Sequence, residues 1–183
     1  MSFDISLKDP VTKETLELPI EHIMTGGTYK VNYNAETNTF TPKPLSEAWL
    51  NVTYNYSPYY HESYENGIRD LDGISGLDSI IMLENMINII ETKYKKDGNW
   101  ITTQREKFRS ISKKTGTVVD SSEYFDAIVH GRGNEYINEK YIDDVYEGPS
   151  YDYWEATAAN AIKPLKQLIT MAKLRPDGVW EVI

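Results

Sequence analysis

Few side chains in this 183-residue chain could do acid–base or metal chemistry, since it has three histidines and no cysteine. No two histidines have the i, i+4 spacing of a metal pair on a helix. His61-Glu62 lies in the cluster Tyr59, Tyr60 and Tyr64, and a metal there would need a third ligand from elsewhere. The alternative is an ordinary surface or partly buried histidine. We expect that neither folding nor function requires a metal.

His130 and the acid pair Asp143-Asp144 are the other candidates for acid–base chemistry. His130 precedes Gly131-Arg132-Gly133, which suits either a general base beside an anion nest or a plain turn. Paired carboxylates serve in glycosidases, but adjacent acids on a polar stretch are usually solvated charge. The sequence has no phosphate-binding glycine loop, dinucleotide fingerprint or nucleophile elbow. We therefore predict a protein that is not an enzyme, with no catalytic residue and no cofactor.

Tyrosine is unusually frequent, with fourteen in the chain. Its ring is rigid and has a polar tip, so tyrosine is common at binding surfaces. One cluster supplies candidate binding residues, namely Tyr54, Tyr56, Tyr59 and Tyr60. The alternative is that these rings fill the seam between a sheet and helices, with their hydroxyl groups at its rim.

Charge is unevenly distributed along the chain, whose net charge is −9. Residues 93–114 have eight basic and two acidic residues, a net of +6, and residues 120–147 have the reverse composition, a net of −6. Separated charge steers and orients a docking partner. We therefore expect residues 93–147 to form the main partner-contacting surface, unless the two stretches simply face each other or water. The candidate contact residues are Lys107, Arg109, Lys113, Lys114, Asp143, Asp144 and Glu147, where charge reversal should leave the melting temperature nearly unchanged.

Alternating apolar residues predict strands in residues 1–56. Residues 3–7 and 16–18 have the pattern of one hairpin, and residues 29–33 and 40, introduced by Gly26-Gly27, that of a second. Residues 48–56 are rich in aromatic and β-branched side chains, which predicts a central strand ended by Pro58.

Helical periodicity begins near Ser75, where Ser75-Gly76-Leu77-Asp78 resembles a capping box. The helix is predicted to run to Tyr94 and to be buried on most of its circumference. A second amphipathic helix is expected at 157–173, kinked or divided at Pro164. A turn at 175–178 and a short strand from Val179 to Val182 follow.

Residues 95–150 have a weaker pattern. Trp100, Gln104, Phe108 and Ile111 have helical spacing, which predicts a helix with a basic opposite face, and Gly131 to Asn134 predict a tight turn. The fold class is thus α+β, an N-terminal antiparallel sheet packed against C-terminal helices. We expect one domain, 1–183, made of a β-rich part (1–56), a core helix region (57–94), a charge-polarised insert (95–150) and a C-terminal helix with a short strand (151–183).

Blocks on both sides of the insert carry a family resemblance: Trp49-Leu50-Asn51-Val52-Thr53-Tyr54-Asn55-Tyr56, Gly67-Ile68-Arg69, Gly76-Leu77-Asp78-Ser79-Ile80, Tyr153-Trp154-Glu155-Ala156-Thr157, Asn160-Ala161 and Met171-Ala172-Lys173-Leu174-Arg175-Pro176-Asp177-Gly178-Val179-Trp180. They resemble a family of small phage and prophage proteins. The resemblance covers roughly residues 1–92 and 151–183. Typical members join these parts by a short link, whereas this chain has a longer, charged segment between them.

The resemblance implies a phage accessory protein that inhibits a host defence, namely an anti-CRISPR protein of the kind directed at Cas9. It implies non-catalytic binding to a Cas nuclease complex in the cytoplasm of the bacterial host, with no membrane contact. An acidic surface can compete for a positively charged guide-and-target channel. Two alternatives stay open: a nucleic-acid-binding accessory protein that uses the basic stretch 93–114, and a small-molecule-binding protein or enzyme.

Overall fold

The structure, a computed structural model, describes residues 2–23 and 31–183, and these residues divide into two compact units. Unit 1 comprises the described residues up to Ile101 together with Glu147–Ile183, and unit 2 comprises Thr102–Tyr146. The described residues form four α-helices, and their strands pair antiparallel, so the predicted α+β fold class is confirmed. Gly26-Gly27 and Tyr29, which belong to the predicted second hairpin, lie outside the described residues.

The elements are numbered in chain order. The strands are β1 (Ser2–Lys8), β2 (Glu17–His22), β3 (Val31–Asn34), β4 (Thr39–Pro42), β5 (Leu45–Glu47), β6 (Trp49–Thr53), β7 (Lys95–Lys96), β8 (Asn99–Trp100), β9 (Thr102–Ser112), β10 (Val118–Val119), β11 (Tyr136–Tyr146) and β12 (Val179–Val182). The α-helices are α1 (Ser57–Tyr60), α2 (Gly76–Tyr94), α3 (Ser121–Val129) and α4 (Ala158–Leu174). Short 3-10 helices span Tyr54–Tyr56, Gly67–Leu71 and Gly133–Glu135.

The main sheet of unit 1 has the order β12-β1-β6 and is antiparallel throughout. Strand β1 is its centre, because Ile5 lies opposite Leu50 of β6 and opposite Val182 of β12. The C-terminal strand therefore joins the sheet. Residues 48–56 were predicted to contain a central strand, but β6 is an edge strand. It ends at Thr53 because the chain then enters a 3-10 turn and α1, with Pro58 in the first turn of that helix.

The first predicted hairpin forms only beside its turn, and strands β1 and β2 do not pair along their length. Because both edges of β1 are occupied by β6 and β12, β2 pairs with β5 instead. A single bridge, Lys8 to Thr15, joins the chain after β1 to the chain before β2. The second hairpin is confirmed for its described residues, since β3 pairs with β4 in register from Val31 opposite Pro42 to Asn34 opposite Thr39.

Helix α2 begins where the capping residues predicted it. The backbone N–H of Asp78 donates to Ser75 Oγ (3.1 Å), and the Ser75 hydroxyl donates to the Asp78 carboxylate (2.6 Å). One stripe of the helix is buried, through Leu83, Met86 and Ile90. The expected burial on most of the circumference is wrong, because Leu77 and Ile81 are 62% and 76% exposed.

Helix α4 packs against α2 and continues through Pro164 as a single helix. Of the two expected alternatives at Pro164, a kink or a division, the division is therefore excluded. The core of unit 1 joins both helices to the main sheet. Its fully buried side chains include Ile5, Leu7, Leu50, Val52, Leu83, Met86, Ile90, Leu165, Leu168 and Met171. The predicted turn follows α4, with the Gly178 N–H donating to the Arg175 carbonyl (3.2 Å).

Unit 2 is a long antiparallel ribbon with a helix. Strands β9 and β11 pair without interruption from Thr102 opposite Tyr146 to Ser112 opposite Tyr136, and β10 extends the sheet to the order β10-β9-β11. The helix predicted over residues 100–111 is therefore wrong. Cross-strand hydrogen bonding decides the conformation of this polar segment. The helix prediction rested on only four residues at helical spacing, which is a weak signal.

Gly76 provides a test of the close contact between the start of α2 and the turn after α4. A Cβ atom at this position would lie 2.6 Å from the Arg175 carbonyl oxygen and 3.2 Å from the Pro176 Cα, both of which are backbone atoms. Gly76→Ala should therefore lower the free energy of unfolding by about 1 to 3 kcal/mol in urea titrations. Leu77→Ala, at the exposed neighbouring position, is the control and should change it by less than about 0.5 kcal/mol. Equal stability of the two variants would contradict this close contact.

Candidate binding surface

The tyrosines predicted to form a contact surface mostly belong to the core of unit 1. Tyr56, Tyr59 and Tyr60 are at most 2% exposed, so they are not available to a partner. Tyr54 is partly buried, with its ring centroid 4.2 Å from that of Phe3 and its hydroxyl accepting from Arg69 (3.2 Å). The alternative interpretation, in which these rings fill the seam between sheet and helices, describes the three buried tyrosines.

Their hydroxyl groups hold the segment that precedes and begins α4. The Tyr56 hydroxyl donates to the Tyr153 carbonyl, and the Tyr60 hydroxyl donates to the Ala161 carbonyl (2.9 Å). The Tyr59 hydroxyl lies within hydrogen-bond distance of two acceptors, the Ala156 carbonyl oxygen (2.7 Å) and a Glu147 carboxylate oxygen (2.6 Å). Burial raises the pKa of the Tyr60 hydroxyl well above its usual value, so this group stays a neutral donor.

Glu147 was predicted to lie on the partner-contacting surface, but its side chain is completely buried in unit 1. Its carboxylate accepts hydrogen bonds from the Tyr59 hydroxyl (2.6 Å) and from the backbone N–H of Ala158 (2.9 Å), the first residue of α4. A carboxylate at a helix N-terminus also interacts favourably with the helix dipole. Charge reversal at Glu147 would therefore disturb the core, which corrects the expectation of an unchanged melting temperature.

The histidines are not brought together. His61 lies at the surface, with Nδ1 2.8 Å from the Glu65 carbonyl oxygen, and exposed His130 has Nδ1 3.2 Å from an Asp126 carboxylate oxygen. His22 is buried, with Nε2 2.7 Å from the Glu47 carbonyl oxygen. Within residues 2–23 and 31–183, no three His, Asp or Glu side chains are grouped so that they could hold a metal ion.

The two charged stretches lie side by side on the ribbon of unit 2. Lys107 pairs with Asp143, Arg109 with Glu139 (2.7 Å), and Lys140 with Glu106 (2.5 Å). Hydrogen bonding to Asp143 raises the pKa of Lys107. With seven basic and eight acidic residues, unit 2 has a net charge of −1. The charge separation along the sequence is therefore not kept in space.

Lys113 and Lys114 lie on the turn after β9, apart from the pairs on the ribbon. They line a depression of about 840 Å³ together with Arg132, Thr115 and Thr117. The Lys113 ammonium donates to the Asn134 carbonyl (2.7 Å), and Arg132 pairs with Asp126 (3.0 Å). Lys114 is exposed. Glu123 and Glu135 also line the depression, so its net charge is +1.

The most unusual feature of unit 2 is its apolar surface. All of its residues are described, and Ala127 is its single buried apolar side chain. Eight large apolar side chains in the unit are exposed: Phe108, Val118, Phe125, Ile128, Val129, Ile137, Ile142 and Tyr146. Contiguous exposed apolar surface commonly marks an interaction site.

Helix α3 concentrates part of this surface on its outer side. Phe125, Ile128 and Val129 are 67%, 48% and 64% exposed and have the i, i+3, i+4 spacing of one helix face, which we call the α3 face. The opposite side of α3 faces the ribbon, where the Asn138 amide donates to the Tyr124 hydroxyl (2.7 Å). Sequence reasoning missed the α3 face, although the apolar spacing inside an acidic stretch was a visible signal.

A second, smaller concavity in unit 1 has a volume of about 140 Å³ and is lined by Tyr56, Tyr153, Asn160 and Lys163 among others. Ligand pockets usually enclose roughly 300 to 1,000 Å³. Its size suits a few water molecules better than a nucleotide or sugar. None of the helices in the described part of the chain is long and apolar enough to span a membrane.

Glu147 generates a stability prediction. Glu147→Ala removes the acceptor of the Ala158 N–H and of one Tyr59 bond inside the core, and should lower the free energy of unfolding by about 1 to 3 kcal/mol. Glu155→Ala, an exposed acid eight residues later in unit 1, is the control and should change it by less than about 0.5 kcal/mol. Chemical denaturation measures both, and a Glu147→Ala variant as stable as the control would contradict the assigned role.

No protein-family model, curated protein or solved structure matches the chain. Its function is therefore argued from the surfaces of the two units and from the residues themselves.

Proposed function

We propose that this protein acts by non-catalytic binding to another protein, and that it is a phage-type inhibitor of a bacterial defence system, an anti-CRISPR protein directed at a Cas9-type nuclease complex. Binding is mediated mainly by unit 2 through the α3 face. The host-cell cytoplasm, where such a nuclease works, is the proposed site of action.

The observation that carries the binding proposal is the exposure of Phe125, Ile128 and Val129 on α3. Aromatic and branched aliphatic side chains supply most of the energy at protein interfaces when they enter desolvated pockets. In unit 2, Ala127 is the one buried apolar residue, and the three side chains of the α3 face remain in contact with water. Apolar side chains that stay exposed add no hydrophobic stabilisation to the fold. A partner that covers the α3 face makes this arrangement favourable.

Charge indicates the chemistry of that partner. The chain has a net charge of −9, of which unit 1 contributes −8. Such a field attracts a basic protein surface and repels nucleic acid over distances comparable with the Debye length. A guide-and-target channel is basic and accessible, so it fits the acidic charge together with an apolar contact.

The defence-system part of the proposal rests on the phage-protein resemblance of residues 1–92 and 151–183. In unit 1 these blocks lie largely in the core and its supports: Leu50 and Val52 are fully buried on β6, and Trp180 of β12 donates from its indole to Ser79 on α2 (2.7 Å). We therefore infer that the resembling blocks form a scaffold of the kind found in the phage proteins. Unit 2, which lies outside these blocks, would determine which partner is bound.

The α3 face makes the proposal testable with two substitutions. Phe125→Ser combined with Val129→Ser should raise the Kd for a Cas9–guide complex by about tenfold or more, because two central apolar contacts are lost. The free energy of unfolding should stay within about 0.5 kcal/mol of the parent, since both side chains are exposed. Biolayer interferometry gives the Kd, and a DNA-cleavage assay gives the loss of inhibition.

Val11→Ser is the matched control, because Val11 is 86% exposed on the turn after β1 in unit 1. It should bind and inhibit like the parent. A parent protein that neither binds nor inhibits the nuclease complex would reject the defence-system proposal. Parent-like binding by the α3 double variant would instead reject the α3 face as the contact.

Nucleic-acid binding is a second candidate function, favoured by the depression that Lys113, Lys114 and Arg132 line with the hydroxyls of Thr115 and Thr117. Basic and hydroxyl groups around one concavity suit a phosphate backbone. The small net charge of +1 and the acidic whole chain make this candidate weaker than protein binding.

The two candidates differ in salt dependence. If the depression binds DNA, the logarithm of affinity should fall steeply with the logarithm of salt concentration. Lys113→Ala with Lys114→Ala should then lower that slope by about 1 to 2. Fluorescence anisotropy with single- and double-stranded DNA measures the slope, and exposed Lys43→Ala with Lys166→Ala is the control pair. An unchanged slope in the Lys113 and Lys114 variant would remove this candidate.

A further inference from the structure

Strand β11 is an edge strand of unusual length. It has 11 residues, contains no proline and pairs with β9 in one uninterrupted register, while the opposite edge of the sheet is the two-residue strand β10. An edge of this length presents a row of backbone N–H and C=O groups that can pair with a further strand. Proteins usually protect such edges with prolines, bulges or charges.

The charges of β11 do not protect it from its own copy. In an antiparallel pair the residues directly opposite each other share a face of the sheet, and alternate residues of a strand lie on opposite faces. Lys140, Ile142 and Asp144 therefore share one face, with a cation and an anion placed symmetrically about Ile142. We call this the Ile142 face.

We propose that β11 pairs antiparallel with β11 of a second copy of this chain, about a two-fold axis at Ile142. The axis is perpendicular to the sheet, so residues on the Ile142 face of one copy meet the same face of the other. Ile142 lies opposite Ile142 of the second copy, and each Lys140 lies opposite an Asp144. The three-stranded sheets of the two copies then join into one of six strands.

The Ile142 face provides both apolar and ionic contacts for this pairing. Ile142 is 59% exposed and Phe108, diagonal to it on β9, is 71% exposed, so the axis brings four apolar side chains together. Asp144 is exposed, and within the described residues it has no ion pair. Lys140 already bonds Glu106 (2.5 Å) and keeps further N–H donors for a second carboxylate.

Neighbouring registers are less favourable, which makes the proposed one specific. An axis at Tyr141 would place Glu139 opposite Asp143, and an axis at Lys140 would place two ammonium groups opposite each other. Like charges directly opposite are destabilising. On the other face, the axis at Ile142 brings Tyr141 opposite Asp143 and Glu139 opposite Val145, where no like charges meet.

Complementary charge reversal tests the pairing. The parent should sediment as a dimer, and Asp144→Lys and Lys140→Glu should each weaken self-association by roughly tenfold or more, because each places two like-charged pairs across the axis. An equal mixture of the two variants should form a heterodimer, since every opposed pair in it is then of opposite sign. Analytical ultracentrifugation measures association, and circular dichroism confirms that each variant is folded.

The absence of cysteine allows a second test. Ile142→Cys should form a disulfide-linked dimer under mild oxidation, because the two introduced thiols meet at the axis. Ile137→Cys, on the same strand and 52% exposed, should not, since the axis separates its two copies by many residues. The proposal is overturned by a monomeric parent, by a mixture that stays monomeric, or by equal cross-linking of the two cysteine variants. It does not depend on the α3 face, whose variants should dimerise like the parent.

Discussion

The buried carboxylate of Glu147 is the contact on which much of unit 1 depends. Its side chain binds Tyr59 of α1 and the first amide of α4, and its backbone N–H donates to the Ile101 carbonyl (3.4 Å). One residue thus contacts α1, the start of α4 and Ile101, the last residue of unit 1 before the chain enters unit 2. A buried carboxylate is costly unless hydrogen bonds compensate it, so these donors and Glu147 require one another.

The distribution of apolar surface follows from this arrangement. Unit 1 has a continuous core of sheet and helix side chains, and Tyr56, Tyr59 and Tyr60 are used internally because their hydroxyls reach the carbonyls before and within α4. Unit 2 has almost no core, yet it is rich in exposed apolar residues. The packing is therefore concentrated in unit 1, and unit 2 exposes the apolar side chains through which we propose that the protein binds.

Cross-strand pairing brings the basic and acidic stretches of the charged segment into contact. In the sequence, a basic stretch precedes an acidic one, as expected of a polarised docking surface. In the structure, β9 and β11 bring them together, so that Lys107 neutralises Asp143 and Arg109 neutralises Glu139. Exposed pairs of this kind contribute only about 0 to 1 kcal/mol each. Their main effect is to leave unit 2 nearly neutral, with a net charge of −1.

Local patterns determined much of the fold. The capping residues at Ser75 and the apolar spacing near Ala158 place α2 and α4 within one residue of their observed starts, because a helix depends on contacts three and four residues apart. Alternation correctly indicated β1, β3, β4 and β12 for the same local reason. The sequence by itself also excluded disulfide bonds and cysteine ligands.

Only the tertiary structure decided which strands pair, which tyrosines are buried and where the charges meet. Strand β1 bonds β6 and β12 rather than β2, and Tyr59 faces Glu147 across 88 positions of the chain. Residues 102–112 are a strand because β11, some thirty residues away, supplies their hydrogen-bond partners. These outcomes depend on contacts between distant segments, and neither side-chain periodicity nor charge sums contain that information.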